Sequence, residues 1–181
     1  MTTRGSNALA RQTLASARRA GVMLATAESC TGGMIAAALT AIPGSSDVVD
    51  RGFVTYSNAA KMQMLGVGEK TLSAHGAVSE PVAAEMARGA LDRSDAGVAV
   101  AVTGIAGPGG GSAEKPEGRV CFGIATAQGT RTETVDFGAL GRGNVRRATV
   151  LHALKLVLNA LPGAPTGPAT DPATGPATGA A

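Results

Sequence analysis

The run Ala27-Glu28-Ser29-Cys30-Thr31-Gly32-Gly33 sets a hydroxyl and a thiol side by side just ahead of a glycine pair. A serine or cysteine displayed on a tight turn is a nucleophile for acyl transfer, provided a neighbouring base takes its proton. Val22 to Thr26 reads as a short apolar strand, and Met34, Ile35, Leu39 and Ile42 recur at helical spacing until Pro43-Gly44. The turn therefore stands at the carboxyl end of a strand, where open α/β sheets bind ligands and helix-start N–H groups near Gly32 and Gly33 can receive a phosphate or a developing oxyanion. The run is not a G-x-S-x-G elbow, because no glycine stands two residues before Ser29. Glu28 reads as a cap for the following helix, and Cys30 as a small buried thiol rather than the nucleophile.

Ser29 needs a base. His75 and His152 are the only histidines. His152 falls beside the apolar stripe of the last helix and reads as structural, while His75 precedes Gly76 in an expected loop with no acid placed to orient it, so a Ser-His-Asp triad is unsupported. Lys61 is another candidate, since a desolvated ammonium gives up its proton readily. By spacing alone, however, Lys61 reads first as a solvated lysine on an amphipathic turn. Tyr56 is open between a proton relay or ring-stacking role and a half-buried strand position.

Two further clusters suit an anion. Thr103-Gly104-Ile105-Ala106-Gly107-Pro108-Gly109-Gly110 follows a strand, and successive glycine N–H groups can form an anion nest. Arg142, just before a helix start, offers a bidentate charge for a phosphate. If the two strands are parallel neighbours, the serine turn and the glycine loop open onto one crevice. Neither a Walker A loop nor G-x-G-x-x-G is present. Arg146 and Arg147 are open between a solvated helix face and a sign of something anionic nearby, since the dipole disfavours cations in the first turn of the last helix.

The elements that must position these residues follow from the chain's texture. With 181 residues, 44% hydrophobic and only 2% aromatic, one domain with a core of Ala, Val, Leu, Ile and Met is expected. Ser6 is expected to cap a helix ending at Gly21, and Arg51 to Tyr56 forms a strand. Asn58 and Ser79 are expected to cap helices, and Gly97 to Val102 reads as a strand buried on both faces. Thr103 to Gly118 is a loop. Arg119 to Ala125 and Thr130 to Phe137 pair as a hairpin around Gln128-Gly129, and Asn144 is expected to cap a last helix ended by Pro162. Residues 163–181 repeat Pro-Ala-Thr and cannot build a core, so a disordered tail follows a single domain over 1–162.

A net charge of +3 without dense basic runs, and the scarcity of aromatics, argue against nucleic-acid binding. Cys30 and Cys121 show no metal spacing, no signal segment opens the chain, and no apolar run approaches 18 residues. The expectation is a soluble cytoplasmic protein with reduced thiols, without membrane contact, metal or cofactor.

Taken together, AESCTGG, the FVTYSNAAK run from Phe53 to Lys61, LGV at Leu65 to Val67, GAVSEPVA from Gly76 to Ala83, VTGIAGPGGG from Val102 to Gly111 and PEGRVCFGIA from Pro116 to Ala125 resemble the CinA C-terminal domain family from about Ala8 to Leu161. Stand-alone members of that family are nicotinamide-nucleotide amidases. The resemblance implies a three-layer α/β/α fold, with a central mixed, mostly parallel sheet. It also implies hydrolysis of nicotinamide mononucleotide to nicotinic acid mononucleotide and ammonia, in pyridine-nucleotide recycling. It makes Ser29 the nucleophile and Lys61 its base, with Tyr56 beside them. Thr31, Gly32, Gly33, Asn58, Thr103, Gly104, Ile105, Ala106, Gly107 and Arg142 would bind the nucleotide substrate, and a homodimer is implied. Departures are Gly141-Arg142-Gly143, where the family often flanks the arginine with acids, and Ala59-Ala60 before Lys61. The N-terminal domain of many relatives, related to molybdopterin-binding folds, is not in the sequence, so the expectation is the amidase module alone. The alternative is a non-catalytic nucleotide-binding or regulatory module of the same type.

Overall fold

A computed structural model describes residues 3–161; the tail expected over 163–181 lies outside the described residues. The chain runs α1 (Thr3–Ala20), β1 (Leu24–Glu28), α2 (Met34–Thr40), a 3-10 turn at Ser45–Asp47, β2 (Val49–Val54), α3 (Asn58–Leu65), α4 (Glu69–His75), α5 (Glu80–Asp92), β3 (Val98–Gly104), β4 (Arg119–Thr126), β5 (Gly129–Asp136) and α6 (Arg142–Ala160). The five strands form one mixed sheet in the order β2-β1-β3-β4-β5. β1 pairs parallel to both β2 and β3, while β4 and β5 continue the sheet antiparallel. Helices cover both faces, which is the expected three-layer architecture.

The GVAVAV run explains how the layers differ. A strand sends alternate side chains to opposite faces, so Val98, Val100 and Val102 enter one core with Leu24, Phe122 and residues of α1, α2 and α6. Ala99 and Ala101 enter the other, with Ala25, Ala27, Ala125 and residues of α3, α4 and α5. The alanine face draws α5 onto the sheet so closely that a Cβ on Gly123 would stand 2.3 Å from the Ala83 carbonyl oxygen. The helices also meet tightly: a Cβ on Gly89 would stand 1.9 Å from the Leu65 carbonyl oxygen, so α3 crosses α5 where only glycine fits.

Several expected boundaries shift. β1 begins and ends two residues later than Val22 to Thr26, which carries Glu28 into the strand between Val54 of β2 and Val102 of β3. Asn58 does not cap α3; Ser57 holds the extended capping position, and its Oγ accepts from the Ala60 N–H. Asn144 lies inside α6, behind an N-cap at Gly141. Ser79 occupies the cap position of α5 as expected, yet its hydroxyl donates to the Gly76 carbonyl instead. His75 is not in a loop but closes α4, a helix held by one buried leucine, Leu72, and by Glu85, which accepts from Gly68 N–H and Thr71 Oγ1.

Candidate functional site

β1 and β3 are parallel neighbours, so the serine turn and the loop after Gly104 leave the same edge of the sheet. The Ser29 N–H donates to the Val102 carbonyl at 3.0 Å, which extends the strand pairing by one residue and fixes where the turn begins. Gly32 (φ 58°) and Gly33 (φ 95°) then take left-handed backbone that other residues rarely adopt, and the chain doubles back into α2.

Glu28 holds this turn from beneath. Its side chain is wholly buried and points to the same face as Leu24, toward the start of α2. One carboxylate oxygen accepts from the N–H groups of Gly33 and Ile35, both at 3.0 Å, and the other from Ala36 at 2.8 Å. The expected cap is therefore present. It has a consequence that corrects another expectation: the Gly33 amide is committed to Glu28, and the Gly32 amide donates to the Ser29 carbonyl at 3.1 Å, so neither is free for an oxyanion.

Lys61 is the basic side chain that the fold brings to Ser29. Lys61, in the second turn of α3, sends its side chain under the sheet edge until Nζ lies 3.0 Å from Ser29 Oγ and donates to the Thr55 carbonyl at 2.9 Å. Lys61 is 1% exposed and Ser29 9% exposed. Burial pushes the Lys61 ammonium below the ordinary lysine range, the direction a proton acceptor requires. Thr55 follows β2, and its N–H donates to the Glu28 carbonyl, so one strand end aligns both the carbonyl that holds Lys61 and the strand that presents Ser29. The solvated-lysine reading is overturned.

Other candidates fall away or change role. Cys30 is buried, and desolvation raises its thiol from 9.0 to about 11, which keeps it protonated at neutral pH. His152 is structural as expected: its ring packs on Phe122 with centroids 4.6 Å apart, and its Nε2 meets the Glu133 carboxylate. Tyr56 is 61% exposed rather than half-buried in a strand, because β2 ends at Val54. Its hydroxyl accepts from Arg142 Nη2 at 2.9 Å, while Arg142 Nη1 donates to the Gly107 carbonyl at 3.1 Å. Arg142 thus bridges the loop before α3 and the glycine loop.

The glycine loop is less open than a free anion nest. Glu117 turns back into it and accepts from the Gly109 N–H at 3.0 Å, so that amide is committed. Thr103 is buried and its Oγ1 donates to the Ala77 carbonyl at 2.8 Å, which ties the end of β3 to the segment before α5. Gly104 and Ile105 are half-buried, Ala106 and Gly107 buried. Asn58 is exposed at the first position of α3. Thr31 is buried with its Oγ1 unpartnered, as is Thr55 Oγ1. Among the described residues, no three His, Cys, Asp or Glu side chains converge as metal ligands, and no helix is long and apolar enough to cross a membrane. A separate cavity of about 250 Å³ lies between β4, β5 and α6, against Phe122, Arg131, Glu133 and Leu156, and contains none of the residues around Ser29.

The Thr55 carbonyl and Arg146 belong to the site's surroundings, yet the sequence does not mark them for it. A backbone carbonyl leaves no mark in side-chain chemistry; Arg146, which donates to the Thr31 carbonyl, was signalled only by its awkward place at a helix start.

Comparison with known proteins agrees with this architecture. The chain is 54% identical over 135 residues to the nicotinamide-nucleotide amidohydrolase PncC of Escherichia coli strain K12, covering 75% of this chain and 82% of that protein. It is 53% identical over 152 residues to a competence-damage inducible protein of Symbiobacterium thermophilum, covering 79% of this chain but spanning only 35% of that relative's length. The crystal structure of competence/damage inducible protein CihA from Agrobacterium tumefaciens superposes with a TM-score of 0.83 at 55% identity, over 84% of this chain and 93% of that one. Residues 6–161 match the model of the CinA C-terminal domain, and the chain belongs to that family.

Proposed function

We propose that the chain is a nicotinamide-nucleotide amidase that hydrolyses the carboxamide of nicotinamide mononucleotide through Ser29 and Lys61. The observation that carries this reading is the 3.0 Å approach of Lys61 Nζ to Ser29 Oγ at a buried strand end. The amidohydrolase named among the relatives supplies the substrate.

In the forward step Ser29 Oγ adds to the carboxamide carbon while Lys61, as the neutral amine, takes the hydroxyl proton. The C–N bond then breaks, Lys61 returns the proton to the departing nitrogen, and ammonia leaves an ester on Ser29. Water gives a proton to Lys61 as it adds to that ester; the ester bond breaks, Ser29 recovers its proton, and nicotinic acid mononucleotide departs. With the Gly32, Gly33, Ile35 and Ala36 amides committed, the turn's other amides, those of Cys30, Thr31 and Met34, are left to receive the oxyanion, the first of them also reaching its own thiol. Arg142, exposed and held only by Tyr56 and the Gly107 carbonyl, is placed to exchange those neutral partners for the nucleotide phosphate.

Ammonia release from nicotinamide mononucleotide, compared with nicotinamide and its riboside, tests the reading. Turnover should be confined to the nucleotide and should fall by about 10⁴-fold or more in Ser29→Ala with the fold intact. Tight nucleotide binding without turnover would instead favour a binding module. Equal rates on simple amides would favour a hydrolase of another substrate class.

A further inference from the structure

Arg146 stands one turn into α6, where the helix dipole works against a cation. Among the described residues no Asp or Glu forms an ion pair with it. It is half-buried, and its Nε is wholly buried without a hydrogen-bond partner. A cation so placed costs desolvation that no counter-ion offsets. What it does reach, 115 residues back along the chain, is the nucleophile turn: Nη2 donates to the Thr31 carbonyl at 2.7 Å, and the same nitrogen stands 3.6 Å from where a Cβ on Gly32 would lie. The charge is felt at Cys30, next to Ser29, where it opposes the effect of burial on the thiol.

The Thr31 carbonyl and the Gly32 N–H belong to one planar peptide unit. That N–H donates to the Ser29 carbonyl at 3.1 Å, closing the turn. We infer that Arg146 is a positioning residue for the nucleophile: by gripping the Thr31 carbonyl it fixes the Thr31-Gly32 peptide plane, whose N–H in turn holds Ser29 so that its Oγ stays on Lys61. Two consecutive glycines with left-handed backbone give this turn no side chain of their own to hold it, and α6 supplies at Thr31 a second clamp beside the one that Glu28 places on Gly33. This inference rests on the nucleophile reading above.

The test measures Ser29 itself rather than nucleotide binding. A small fluorophosphonate labels an activated serine as the O–P bond forms, the P–F bond breaks and the serine proton passes to the base, so labelling rate reports nucleophilicity without a nucleotide. Arg146→Met should lower labelling and kcat together, by about 30- to 100-fold, the scale expected when a reacting group is displaced by about an ångström. KM for the nucleotide should stay within about 3-fold, and Arg146→Lys, which keeps a cation and donors, should recover part of both rates. Unchanged labelling in Arg146→Met would overturn the inference, as would a rise in KM at constant kcat, which would make Arg146 a substrate contact. Should Arg146→Met not fold, Arg146→Gln takes its place under the same criteria, and failure of both to fold would assign the residue to stability alone. If the wild-type Ser29 is not labelled at all, the nucleophile reading fails; if wild type and Arg146→Met label equally, only the clamp does.

Discussion

Lys61→Met is expected to abolish turnover and at the same time make the protein more stable. The loss of activity follows from removing the basic side chain hydrogen-bonded to the Ser29 hydroxyl: without it kcat should fall by about 10³-fold or more. The gain in stability follows from what the ammonium meets. Lys61 is 1% exposed, and both of its partners, Ser29 Oγ and the Thr55 carbonyl, are neutral. Two neutral hydrogen bonds return about 1 kcal/mol each, whereas desolvating an unpaired charge costs several. Methionine fills nearly the same volume without that cost, so a net gain on the order of 1 kcal/mol at neutral pH is expected, even after the Thr55 carbonyl loses its donor.

The gain should depend on pH with a definite sign. Because burial depresses the folded-state pKa of Lys61, the unfolded chain binds more protons between that depressed value and the ordinary lysine range, and stability rises with pH there. The penalty is present in full below the depressed pKa and is relieved as pH rises through that window. The stabilisation by Lys61→Met should accordingly be largest at mildly acidic pH and shrink at alkaline pH. Urea midpoints of the two proteins at the two pH values measure this. A variant less stable than wild type at both would mean that the ammonium is adequately solvated by its neighbours.

Glu28→Ala should produce the largest loss of stability of any single change at the site. Glu28 satisfies three backbone N–H groups at the start of α2, Gly33, Ile35 and Ala36, in a place where its own side chain is wholly buried. Alanine leaves those donors without an acceptor and opens a cavity between β1 and α2. At about 1 to 3 kcal/mol for each unsatisfied group, with the partly buried Gly33 and Ala36 donors toward the low end and the buried Ile35 donor toward the high end, a loss on the order of 3 to 6 kcal/mol is expected, much of a typical domain's stability. Glu28→Gln, which keeps the shape but turns an NH₂ toward one set of donors, should lose roughly half as much. Denaturant midpoints at constant slope decide the matter. A change below about 0.5 kcal/mol in Glu28→Ala would show that the α2 amides find other acceptors.

How much of this was legible beforehand depends on whether the interaction is carried by a local pattern. The alternation of Val and Ala in Gly97 to Val102 reveals a strand buried on both faces, and the glycine pair after Ser29 reveals the turn, because each is a periodicity or a backbone requirement written within a few residues. Glu28 was readable as a cap for the same reason. That its capping leaves Gly33 with no free amide was not readable, because this depends on the strand extending to Glu28 rather than stopping at Thr26. Short α4 leaves no signal in the sequence: its seven residues bury only Leu72, too little to set a period.

Lys61 shows the limit most clearly. On its own segment it looks like a solvated lysine, and only the parallel pairing of β1 with β2 folds α3 beneath Ser29, 32 residues away in the chain. The family resemblance named it; spacing did not. Arg146 lies at the other extreme, visible in sequence as a cation on the wrong end of a helix, but without the carbonyl that explains it.

The dyad is tested most directly by the pH dependence of Ser29 acylation, followed as the first-order appearance of acyl-enzyme in wild type and in Lys61→Met. The rate should rise with pH, with unit slope on a logarithmic plot, levelling at a pKa below the ordinary lysine range, and that rise should vanish with Lys61. A flat profile from mildly acidic to alkaline pH, or one that survives the loss of Lys61, would contradict the assignment of Lys61 as the base that activates Ser29.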